Sequence, residues 1–338
     1  MKNHRAFDVL GNIAIVNFHD FSNSSSDSHP PTRQRLRRRQ KLVSRDSKLT
    51  SPPPPQNKIT IKEKKKFARG LLKRNNNIKT VLEKSGRVKG RLRKPGLKYL
   101  AGEKTREVLY RENGCNFRFN VDTTYFSPRL SNERKELASK IKKKDNVLVM
   151  FAGVAPFSIV IAKKSGAKVV SNEINREANK YAKLNVELNK VKDRVELIGG
   201  DVRRLGGKIS SLRSQISGSK LTSSSFSLKK SSKLITNSRQ SASTKSGVEQ
   251  GRLKKFDVIV MPRPQLKDSF LDIAFKFSKK GTRIFYYDFC GVDEIKNVVE
   301  KIKSEASRAR KKIKILKVKK AGEIAPYKIR VRVDFRVL

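Results

Sequence analysis

Residues 147–158 read VLVMFAGVAPFS: an apolar run that breaks at Gly153 and restarts at Pro156, a residue suited to the first turn of a helix. A run of this length, bounded by a turn and a helix start, reads as a buried parallel strand feeding a helix. Outward from it, strands are expected at 147–152, 167–172, 194–198, 256–261, 282–289, 311–318 and 327–337, and helices at 156–164, 176–189, 267–279 and 292–307. Right-handed crossovers among the first five strands make a parallel, doubly wound α/β sheet, which the last two close as an antiparallel pair. Ligands of such sheets sit outside the C-terminal strand ends, so the Gly153 turn is a candidate site.

The chain has 338 residues and a formal net charge of +50. Such a balance points to a polyanionic partner, nucleic acid before membrane, with affinity that falls with salt. Cys115 and Cys290 lack metal-ligand spacing, and the three histidines, His4, His19 and His29, all precede residue 30. Histidine triads and histidine or zinc metal sites are therefore excluded from the main body, and no metal site is expected. No apolar run approaches the length of a membrane span, and the N-terminus is unlike a signal peptide. A soluble, cytoplasmic, monomeric protein is expected.

Two stretches break the pattern. Residues 19–57 are rich in Ser, Pro and Arg, and 206–250 in Ser and Lys, compositions that cannot bury a core. Both read as basic disordered insertions. Residues 1–18 and 58–131 then form a small α+β domain, with 132–338 as the main α/β domain.

The Gly153 turn lacks the Gly-Lys-Ser/Thr ending of a triphosphate loop and the three glycines of a dinucleotide loop. It suits a ligand with a small charged end, such as the methionine part of S-adenosylmethionine, held by Phe151, Ala152, Gly153 and Val154. Glu173, followed by Ile174, lies at the end of the second strand, where a carboxylate can accept both ribose hydroxyls. Asp201, followed by Val202, lies after the third, placed for an adenine amino group. The plainer alternatives are that Gly153 only permits a turn and Glu173 only caps a helix.

YRENGCNFRFNVDTTYFSPRLSNER (110–134), VMFAGVAPFSI (149–159), NEINREANKYAKLNVELNKVKDRV (172–195) and GDVRRL (200–205) together resemble the archaeal and eukaryotic family of tRNA (guanine-37-N1) methyltransferases. The resemblance implies a Rossmann-like class I S-adenosylmethionine-dependent methyltransferase domain preceded by a small RNA-facing domain. It also implies methyl transfer to N1 of guanosine 37 of tRNA. Fuller family members begin with a further domain that grips the tRNA elbow, and this chain starts too late to hold one. Wybutosine-pathway relatives share the fold and transfer the aminocarboxypropyl group of the same cofactor instead. A tRNA-binding protein with little catalysis is the reading from another class.

Carried over by position, the resemblance implies that Glu133 removes the N1 proton and Arg93 stabilises charge developing on guanine O6. Tyr125, Arg129 and Arg134 would shape the base pocket. A strand-four motif Asn-Leu-Pro is replaced here by Pro262, Arg263 and Pro264, so a hydrogen bond from the asparagine must be absent or supplied by Arg263 or Gln265. Asn120 and Val149 stand where the family commonly has Asp, and Ala155 replaces a glycine. Without the family, Glu133 reads as an ion pair with Arg129 or Arg134, and Arg93 as a phosphate contact. Tyr125, Phe126 and Phe157 are candidate stacking residues, each read first as core.

Overall fold

The computed structural model describes residues 7–18, 59–86, 96–207, 254–263 and 265–338. Arg93, Pro264, residues 19–57 and all but the first two residues of 206–250 lie outside the described residues. Among the described residues no helix is long and apolar enough to cross a membrane.

The chain divides into two compact units. In the first, strands β1 (Phe7–Leu10), β2 (Ile13–Val16), β3 (Thr80–Lys84) and β4 (Leu97–Gly102) form a sheet in chain order, with β2 and β3 parallel and the other pairs antiparallel. Helix α1 (Ile61–Arg74) starts at a capping box, in which the Thr60 hydroxyl accepts from the Glu63 amide and the Glu63 carboxylate accepts from the Thr60 amide. Its spacing puts Ala68 and Leu71 into a core with Val16, Val81 and Leu100.

The second unit begins at a hairpin, β5 (Glu107–Glu112) and β6 (Cys115–Asn120). Sequence reading groups this hairpin with the small domain. The structure instead seats it on helix α4 (Arg176–Leu188), where the Asn185 and Asn189 side chains accept from the Arg118 and Asn116 amides of the otherwise unpaired edge of β6. Helix α2 (Ser131–Ser139) follows. Then come β7 (Asn146–Met150), α3 (Pro156–Ser165), β8 (Lys168–Glu173), α4, β9 (Val195–Gly199) and β10 (Phe256–Met261). Helix α5 (Leu271–Phe277), β11 (Ser278–Gly291), α6 (Ile295–Arg308), β12 (Ile313–Ala325) and β13 (Lys328–Val337) complete it.

The seven strands run in the order β12-β13-β11-β10-β7-β8-β9, with β9 to β11 mutually parallel and β13 antiparallel to both neighbours. This is the doubly wound sheet expected, closed by an antiparallel pair. One element is shorter than its sequence pattern: the helix expected at 267–279 spans only Leu271–Phe277, because Phe270 adopts a left-handed φ of 56° and Ser278 already pairs with Phe256 in β10.

One face of the sheet carries the main core. Ile284 and Tyr286 of β11 and Val331, Val333 and Phe335 of β13 pack with Phe275 of α5 and Ile302 of α6. Alternation sends Tyr287, Phe289, Arg330, Arg332 and Asp334 to the other face, where Phe157 of α3 meets Tyr287 edge-on.

Candidate active site

A cleft opens at the C-terminal ends of β7, β8, β9 and β10, with about 990 Å³ of atom-free space continuous with solvent. Its first wall is the turn after β7. Phe151, Gly153 and Ala155 all adopt positive φ (58°, 58° and 65°), a conformation free of strain only for glycine. A glycine fits this conformation freely, whereas Ala155 carries its Cβ in a left-handed conformation at the start of α3. The turn aims the Gly153 amide at the cleft's carboxylate, donating to Glu173 at 2.7 Å.

Glu173 takes a second amide bond, from Asn175 at 2.8 Å, on its other oxygen. Burial pushes its carboxyl above the usual range, and the N–H bonds from Asn175, Gly153 and Ile174 pull the other way. The Gly153 and Asn175 bonds fall on different oxygens, so the carboxylate keeps acceptor capacity toward the cleft. Beside it, the Asn172 amide ties strand ends together by donating to the Ile198 and Gly200 carbonyls. Asp201 caps a short 3₁₀ turn through the Arg203 amide, and Val202 lines the cleft next to it. Asn120 holds the adjoining loop, its side-chain oxygen accepting from the Asp122 and Thr123 amides, a task an aspartate performs equally.

The opposite wall contains Tyr125, Leu130, Pro262, Arg263, Tyr287, Phe289 and Arg330. Arg263 is buried and fully engaged at its terminal nitrogens, donating to Asp288 and to the Leu266 and Asp268 carbonyls. Behind this wall lies a buried ionic cluster. The Glu133 carboxylate accepts from the Tyr287 hydroxyl at 3.2 Å, from Arg332 at 2.5 Å and from Lys319 at 2.7 Å. Arg332, with no exposed surface, also donates to Glu136 at 2.8 Å and to Asp334 at 2.7 Å. Burial raises the Glu136 carboxyl, but bonds from Arg332, Lys319 and Lys140 outweigh it and hold the group far below the usual carboxylate range.

The TRM5/TYW2 methyltransferase domain pattern matches residues 108–217. Over 287 residues the chain is 33% identical to the tRNA (guanine(37)-N(1))/4-demethylwyosine(37)-methyltransferase Taw22 of Nanoarchaeum equitans, spanning 81% of this chain and 93% of that one. The chain belongs to the TRM5/TYW2 methyltransferase family. It is also 29% identical to the Trm5b tRNA (guanine(37)-N(1))-methyltransferase of Pyrococcus abyssi over 274 residues, 81% of this chain and 68% of the relative. The crystal structure of P. abyssi Trm5b superposes with a TM-score of 0.66 at 26% identity, covering 98% of this chain and 74% of that one. The fold is therefore that of the S-adenosylmethionine-dependent TRM5/TYW2 methyltransferases, and the enzyme class follows from the family.

The cleft fits that cofactor. Gly153 holds a left-handed φ of 58°, so the turn admits only glycine there without backbone strain. The acceptor capacity left on Glu173 suits a ribose hydroxyl. The structure thus brings together Phe151, Gly153, Glu173, Ile174, Asp201, Val202, Tyr125, Pro262 and Arg263 around one cleft. Ala152 and Val154 support the turn from beneath, bonded through the Ala152 amide to the Asn172 carbonyl and through the Val154 carbonyl to Asn185.

Three residues of the sequence reading stand elsewhere. Arg134 is buried against Glu112, to which it donates twice, and against the Phe126 and Phe157 rings, so its fork is closed to a base. Arg129 is exposed and outside the lining. Glu133 pairs with neither of them; it stands one hydrogen bond behind the lining, through Tyr287. Phe126 stacks on Phe119 and Phe157 packs on Tyr287, both as core, whereas Tyr125 is exposed at the cleft. Sequence reasoning missed Tyr287, Phe289, Arg330, Arg332 and Lys319. The signal available was the alternation of charge in KIRVRVDFRV, which a strand with one solvated face shows equally.

Proposed function

We propose that the protein methylates N1 of guanosine 37 in tRNA, beside the anticodon, acting as a cytoplasmic monomer. The observation that carries this reading is the placement of Glu133 one hydrogen bond behind the cleft wall that faces the Gly153–Glu173 pair. Bound S-adenosylmethionine supplies an electrophilic methyl group. Glu173 would accept from its ribose hydroxyls, Asp201 from its adenine amino group, and the backbone of 151–154 would surround its methionine end.

Guanine N1 carries a proton at neutral pH and is a poor nucleophile until it is lost. The N1 proton would pass to the Tyr287 oxygen as the phenol's own proton passes to Glu133, leaving on N1 the electron pair that a methyl acceptor needs. Arg93 would stabilise the charge that moves onto O6, as an oxyanion donor does. Tyr125, Pro262, Arg263 and Pro264 would border the base. The net charge of +50 suits phosphate contacts that position the RNA without reading it.

The test is to incubate the protein with unmodified tRNA bearing guanosine 37 and S-adenosylmethionine, digest the RNA and weigh its nucleosides. The expected product is 1-methylguanosine, lost with Glu133→Gln. An aminocarboxypropyl nucleoside would assign the other transfer known among the relatives, and no modified nucleoside despite tight tRNA binding would overturn the enzymatic reading.

A further inference from the structure

The same face of the β11–β13 pair holds two successive cross-strand rungs. Tyr287 opposes Arg332, and two residues on, toward the open end of the cleft, Phe289 opposes Arg330. The lower rung is closed: Arg332 and Tyr287 are buried and both bond Glu133. The upper rung is not. Arg330 lines the cleft half-buried, its guanidinium 5.1 Å from the Phe289 ring centroid, and no carboxylate among the described residues pairs with it.

Most other side-chain donors of the cleft wall are already engaged. Asn172 donates to Ile198 and Gly200, Asn175 to Thr123, Arg263 to Leu266, Asp268 and Asp288, and Tyr287 to Glu133. Glu173 and Asp201, when ionised, only accept. Arg330 thus presents a planar donor fork to the cleft, whereas Arg263 keeps only its buried Nε without a hydrogen-bond partner among the described residues.

We propose that Arg330, held flat by Phe289, reads the O6/N7 edge of the target purine. Guanine presents two adjacent acceptors there, which a guanidinium meets with two parallel N–H bonds and an ammonium does not. The separation also fits. Rungs two residues apart stand roughly 7 Å from each other along a strand. O6 is carried by C6, the ring atom bonded to N1, so with hydrogen bonds of about 2.9 Å at each end one guanine spans from the Tyr287 rung to the Arg330 rung. Arg330 is therefore a specificity residue, selecting guanine or inosine over adenine, which carries an amino donor at that edge. This assignment rests on guanosine being the target.

The experiment is single-turnover methylation at saturating S-adenosylmethionine, comparing tRNA with guanosine 37 and tRNA with 7-deazaguanosine at that position, which lacks the N7 acceptor. Arg330→Ala is expected to lower kcat/KM on guanosine about 10- to 100-fold, with S-adenosylmethionine affinity unchanged, and Arg330→Lys to recover only a small part. The wild type is expected to lose about tenfold on 7-deazaguanosine, whereas Arg330→Ala treats both substrates alike. The proposal is overturned if Arg330→Lys equals the wild type, or if Arg330→Ala falls equally on both substrates with a shallower salt dependence, which marks a phosphate contact. Failure of the wild type on guanosine 37 overturns the target reading and this one with it, whereas failure of the Arg330 arms alone leaves the target reading standing.

Discussion

The two walls of the cleft are built by different means. The wall proposed to hold the cofactor comes from three successive strand ends, β7, β8 and β9, each contributing within a few residues of its last pleat: Gly153, Glu173 and Asp201. Its bonds run mostly from backbone amides to a carboxylate. The wall proposed to face the base is assembled across the β11–β13 ladder and from α2, with Glu133 meeting Lys319 and Arg332 from nearly 200 positions away along the chain. Local turns dictate the first wall, and tertiary pairing dictates the second.

That contrast can be broken at several points. The largest effect is expected for Arg134→Met. It leaves Glu112 buried without its cation, and a broken buried pair costs about 3–5 kcal/mol; the urea midpoint should fall accordingly, without a selective loss in base discrimination. A normal midpoint with lost discrimination would return Arg134 to the base wall. A smaller effect, of opposite sign, is expected in the cofactor wall. Ala155→Gly relieves a left-handed alanine and should stabilise by about 1 kcal/mol, measured by denaturation, with S-adenosylmethionine affinity kept. Destabilisation would show that the turn relaxes around its Cβ.

The smallest effect concerns acid. Glu136 is held below its ordinary range by Arg332, Lys319 and Lys140, so it contributes stability above the unfolded carboxylate pKa that is lost as pH falls through that range toward the lowered native value. Glu136→Gln should therefore flatten the decline in stability below about pH 5. An unchanged slope, measured by denaturation at several pH values, would place the acid sensitivity of this cluster elsewhere.

The same division explains what the sequence disclosed. Apolar runs and their turns marked the parallel sheet and its order of elements, because each βα unit is a local pattern with a fixed hand. Gly153, Glu173 and Asp201 were legible because strand-end residues of a doubly wound sheet have only one place to go. Arg332 was not. In KIRVRVDFRV its alternation is that of a half-solvated strand, and only the acidic side of α2, carrying Glu133 and Glu136, turns that face into a buried ion cluster. That the hairpin β5–β6 packs within the second unit is hidden for a similar reason. Its anchors are two asparagine side chains on α4, about 70 positions away, and no pattern within the hairpin announces them.

The central claim, that one wall binds cofactor and the other handles the base, is tested most directly by measuring S-adenosylmethionine affinity and the saturated single-turnover rate on guanosine-37 tRNA for Glu173→Gln and Glu133→Gln side by side. The account predicts that Glu173→Gln loses affinity and keeps most of its rate once saturated. It predicts that Glu133→Gln keeps affinity and loses rate by about 10²- to 10⁴-fold, as removal of a general base does. Loss of affinity and rate together in both variants would contradict it.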